Sequence, residues 1–183
     1  ILATERFPVE ADDTAFSLNA RCYEAALSSF GRVVDALAAG ALHLTPQSST
    51  GRRTFLRHER PIVVVDPVED AVTTARRVRA LVLGHAAPNS IGVPRIVAGR
   101  RQVIAAGART VAGSGSPVGT VTCDPDGLRL TTGDGDMLIH PLEDPAGATL
   151  TPADALRLLG VEPGGQLGSP DPELVARLAE VDG

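Results

Sequence analysis

Lysine is absent from this chain: all 17 basic residues among its 183 are Arg. The planar fork of Arg suits phosphate and carboxylate, but so complete an absence of Lys points to a composition bias rather than to selection at one site. Trp is missing too, and the only aromatic rings are Phe7, Phe16, Tyr23, Phe30 and Phe55. None lies in the C-terminal two-thirds, which argues against a surface there that stacks unpaired bases. The two cysteines, Cys22 and Cys123, are far apart and form neither a disulfide framework nor a thiolate metal site. His43, His58, His85 and His140 are scattered, with no i, i+4 pair, so no structural metal is expected. No apolar run reaches the roughly 18 residues of a membrane span. No Met opens the chain, and its first residues read as apolar strand, so a segment upstream of Ile1 is expected.

What is present suits a packed core: 43% of the residues are hydrophobic. The net charge of −5 hides an asymmetry. Residues 51–110 carry eleven Arg against four acids, a balance of +7, whereas residues 151–183 carry six acids against two Arg, a balance of −4. The basic band reads either as solvated surface or as a place to hold an anion.

Ile1 to Val9 reads as a strand. Asp12 or Asp13 then caps a helix whose apolar positions Ala15, Leu18, Cys22, Ala25, Ala26, Phe30, Val33, Val34 and Leu37 recur at three- and four-residue steps, up to a stop at Gly40. Residues 42–60 form a polar connector. Asp66-Pro67 has the pattern of an N-cap with Pro at the first helical position, and Val68, Ala71, Val72, Ala75, Val78 and Leu81 share one face of the helix that follows. From Val93 the period shortens to strands at about 93–98, 102–111, 117–123, 127–132 and 136–142, with turns at Asp124-Pro125-Asp126-Gly127 and Gly133-Asp134-Gly135. Five short strands predict a small OB-like barrel. Thr151-Pro152-Ala153-Asp154 opens a short helix ending at Gly160, and a Gly/Pro linker leads to a last amphipathic helix.

The chain has neither a dinucleotide or Walker glycine loop nor a nucleophile elbow. Asp134 and Asp136 flank Gly135 as turn residues, with too few oxygens nearby for calcium. The motifs that remain come in a telling order: Asp12-Asp13-Thr14-Ala15-Phe16-Ser17-Leu18, Pro46-Gln47, Asp66 with Arg79 thirteen residues on, SPVGTV at 116–121, LRLTTGDGDMLIHPL at 128–142, and LTPADALRLLG at 150–160. In that order they resemble the second half of formyltetrahydrofolate-dependent formyltransferases, the family of methionyl-tRNA and sugar N-formyltransferases. Two departures stand out. Pro67 replaces the family's Trp, and residues 82–94 replace its short proline-rich turn.

The resemblance implies an α+β chain: the terminal βα unit of a doubly wound formyltransferase domain (1–60), a linker and helix (61–92), an OB-like barrel (93–162) and a tail toward a possible further domain (163–183). It implies 10-formyltetrahydrofolate as donor and an amine acceptor, either a nucleotide sugar, a carrier-bound aminoacyl group or a similar small biosynthetic substrate. Attack on the formyl carbon calls for an oxyanion donor and a base. The family's catalytic residues fall in the missing upstream segment, so no catalytic residue is assigned here and the chain alone is expected to be inactive. Gln47, Arg52, Arg53, Arg57 and Arg60 in the connector are the candidates to hold an anionic acceptor. Transfer RNA is disfavoured at this stage because barrel and tail lack Lys and grow acidic. A cytoplasmic protein without membrane contact is expected. The alternative is a non-catalytic OB-like binding or scaffold module of a larger fused or assembly-line enzyme.

Overall fold

The computed structural model describes residues 1–54, 63–84, 89 and 92–182. They fall in two compact units, residues 1–57 and residues 58–183.

The first unit is built on one helix, α1 (Ala15–Ala38). Thr14 is its N-cap in a capping box: Thr14 Oγ1 accepts from Ser17 N at 3.1 Å, and Ser17 Oγ accepts from Thr14 N at 3.0 Å. The expected cap at Asp12 or Asp13 thus moves one residue on. Asp13 instead braces the cap, accepting from Ser17 Oγ at 2.7 Å and pairing with Arg21. Those contacts, Ser17's hydrogen bond foremost, hold the Asp13 carboxyl below the ordinary range. Gly40, with φ of 67°, ends the helix as expected. Residues 1–10 belong to no sheet, contrary to the expected strand; Ile1 exchanges two backbone hydrogen bonds with Thr45 instead. An apolar run becomes a strand only beside a neighbour that takes its N–H and C=O groups in series, and two bonds at one residue make no ladder. No residue of α1 is buried, so the single buried face expected from its periodicity is not formed either.

The second unit is a mixed α/β body with antiparallel sheets. Its elements are α2 (Ala71–Ala80), β1 (Arg95–Ala98), β2 (Arg101–Ala105), β3 (Ala108–Val111), β4 (Val121–Asp124), β5 (Gly127–Thr131), β6 (Asp136–Ile139), β7 (Leu142–Glu143), β8 (Thr149–Leu150), α3 (Pro152–Leu159) and α4 (Pro172–Asp182). One sheet has the order β1-β2-β7-β8 and the other β3-β6-β5-β4. This corrects the expectation of one five-stranded barrel: no closed barrel forms among the described residues. The reason lies at one corner. The run 102–111, expected as a single strand, breaks at Ala106-Gly107, so that β2 serves one sheet and β3 the other; β6 and β7 divide likewise across His140-Pro141. His140 N donates to Gly107 O at 3.1 Å and Ala106 N to Pro141 O at 2.9 Å, which fastens the two bends together. A Cβ on Gly107 would stand 2.4 Å from His140 O, so the crossing requires glycine.

The sheets, α2 and α3 enclose one core. Val103, Leu128, Leu130, Met137, Ile139, Leu142, Val78 and Leu156 are all at most 1% exposed, and each Leu, Ile or Met so buried contributes about 1.5–3 kcal/mol. Helix α2 starts at Ala71 rather than at Pro67, because Asp70 is the N-cap: its Oδ1 accepts from Thr73 N at 2.7 Å. Asp66 forms a side-chain turn, accepting from Val68 N at 3.1 Å. Helix α3 has the expected Thr151 cap, Pro152 at its first turn and left-handed Gly160 at its end. Beyond it, residues 164–167 lie along β4: Val121 N donates to Gly165 O at 2.9 Å and Leu167 N to Gly119 O at 2.8 Å. This strap covers an edge that would otherwise stay open to pairing. No described helix is long and apolar enough to cross a membrane.

Candidate functional site

Of the five residues singled out for acceptor binding, Gln47, Arg52 and Arg53 are exposed on irregular backbone of the first unit, where Arg52 N donates to Ser49 O at 3.3 Å. Neither Arg is ion-paired with a described residue, so both guanidiniums remain available to an anion. Arg57 and Arg60 lie outside the described residues. Among the described residues the connector therefore offers two available cations, Arg52 and Arg53.

Several charges of the second unit are paired within it. On the outer face of the β3-β6-β5-β4 sheet, Arg129 donates to Asp124 Oδ2 at 3.0 Å, to Asp136 Oδ2 at 3.1 Å and to Ala112 O at 3.1 Å. Asp136 is 1% exposed. Burial pushes its carboxyl up, but the Arg129 guanidinium and the Ser114 N–H, 2.9 Å away, outweigh burial, so the net shift is downward. The bonds from the Asp126 N–H and Arg129 lower Asp124 as well, and the two carboxylates raise Arg129. Ser114 and Ala112 belong to the loop after β3, so this network pins that loop across the sheet. It was missed in the sequence because the partners are 5–22 residues apart and meet only through the pairing of β5 with β6. Asp136 Oδ1 is buried with no partner among the described residues, and so is Arg79 Nε, whose guanidinium also donates from Nη1 to Ala108 O at 2.9 Å.

A cleft of about 110 Å³ opens at the C-terminal end of α2, walled by Leu81, Val82, Val93, Pro94 and Ile104, with Asn89 and Glu143 as its polar members. Asn89 Nδ2 donates to Leu81 O at 2.7 Å and so closes the helix end. Ligand pockets for molecules of drug or cofactor size measure about 300–1,000 Å³. Among the described residues the cleft is smaller than that. Among the described residues, no three of His, Cys, Asp and Glu are grouped as metal ligands.

No family model matches the chain. Among curated proteins it is 31% identical over 166 residues to the methionyl-tRNA formyltransferase of Halorhodospira halophila, covering 90% of this chain and 51% of that protein. It is 27% identical over 153 residues to the methionyl-tRNA formyltransferase of Delftia acidovorans, covering 84% and 46%. The chain thus spans about half the length of the curated relatives it matches. In fold it is similar to HypX from Aquifex aeolicus, seen in two crystallised variants: TM-scores are 0.58 and 0.54, at 19% and 20% identity, over 82% and 86% of this chain and 27% of the other. The names of the curated relatives overturn the reading that disfavoured tRNA. That reading weighed the net charge of barrel and tail, whereas affinity for a phosphate backbone depends on where cations stand, and Arg serves as well as Lys. With motifs in the family's order and relatives matched along most of its length, the chain is a formyltransferase-family C-terminal region.

Proposed function

We propose that this chain is the acceptor-side portion of a formyltransferase that moves a formyl group from 10-formyltetrahydrofolate to an amine. The observation that carries this reading is the similarity to methionyl-tRNA formyltransferases over 84–90% of the chain. The donor supplies the formyl carbon. No chemical step is assigned to residues of this chain. Their part is to hold the acceptor: Gln47, Arg52, Arg53, Arg57 and Arg60 form a polar connector rich in cations, suited to the phosphates of an aminoacyl-tRNA or of a nucleotide-linked amine. Aminoacyl-tRNA is the first acceptor to test because the relatives act on it by name. The second unit serves as a rigid mount, and we read its two sheets, joined at Gly107 and His140, as an opened relative of the OB barrel.

The test uses the whole protein that contains this chain, supplied with formyl-labelled 10-formyltetrahydrofolate and, in parallel, methionyl-tRNA and a nucleotide-linked amino sugar. Label should pass to the amine of one acceptor. Folded protein that binds the folate but labels neither acceptor would sink the proposal.

A further inference from the structure

We draw no further inference here: the strongest candidate, the small apolar cleft at the C-terminal end of α2 walled by Leu81, Val82, Val93, Pro94 and Ile104, carries nothing because nothing in the structure shows what covers it.

Discussion

Asp134 Oδ1 accepts a hydrogen bond from Ala71 N at 2.8 Å, joining the β5–β6 hairpin to the start of α2 across 63 residues of sequence. The first turn of a helix leaves N–H groups without partners, and α2 satisfies two of them by different routes: Asp70 takes Thr73 N locally, and Asp134 takes Ala71 N from a distance. Gly133 allows the approach, since a Cβ there would come within 2.9 Å of Val68 O. Asp134→Ala should therefore destabilise the second unit by about 1 kcal/mol, the usual worth of a cap, with Asp134→Asn retaining most of it. Urea denaturation of the three proteins measures this. Equal midpoints would show that the hairpin does not hold the helix.

Arg129 and Asp136 form a partly buried pair on the outer face of the sheet, so the costs of removing the two should not add. Asp136→Ala leaves a largely shielded guanidinium with only Asp124 as an anion and should cost about 1–3 kcal/mol. The double variant Arg129→Leu, Asp136→Leu should cost less than the sum of the single changes. Acid has a related effect. The folded carboxyl of Asp136 is lowered from its ordinary 3.8, so the stability it contributes is complete above that value and is lost as pH falls through the lower folded value. Acid unfolding of Asp136→Asn should accordingly be shallower below pH 3.8 than that of the unaltered chain. Parallel acid curves would refute the assignment.

The strap of residues 164–167 depends on Gly119, whose φ is 86° and whose missing Cβ would lie 2.3 Å from Leu167 O. Gly119→Ala should displace the strap from β4, losing the bonds from Leu167 N and Val121 N and exposing an edge. The expected result is cleavage by a broad protease between residues 161 and 171 at least tenfold faster than in the unaltered chain. Cleavage at an unchanged rate would mean that the strap contributes nothing to order there.

Local chemistry was easy to read in the sequence, and pairing at a distance was not. Thr151, Pro152 and Gly160 delimit α3 because cap, first-turn Pro and left-handed Gly act within a few residues of one another. The turns at Pro125-Asp126 and at Gly133 to Gly135 were legible for the same reason. The barrel expectation failed at Gly107, because a run of apolar residues does not say which of two sheets it serves. The start of α2 was misplaced since Asp66 and Asp70 offer the same side chain, and only the fold decides which of them meets a helical N–H. Gln47, Arg52 and Arg53 stand on irregular chain, where charge is visible in a sequence but convergence is not. The reading against tRNA failed because it summed charges whose positions were unknown.

The connector arginines provide the last prediction, which rests on the proposed acceptor role. Arg52 and Arg53 are exposed and unpaired with any described residue, so a substitution to Ala should leave folding unchanged while removing a cation from any anion they hold. Arg57 and Arg60 extend the same band in sequence. A charge-assisted hydrogen bond contributes about 1.5–3 kcal/mol, which corresponds to a rise of about tenfold or more in the acceptor's KM. The KM for the folate should not move if these cations serve the acceptor alone. Steady-state kinetics of Arg52→Ala, Arg53→Ala, Arg57→Ala and Arg60→Ala in the whole protein, with acceptor and folate varied separately, read both quantities. If the acceptor is a nucleic acid, the unaltered protein should also lose affinity steeply as salt rises, and each effective substitution should lower that slope by about one. An acceptor KM unchanged in all four variants would return the basic band to ordinary solvated surface.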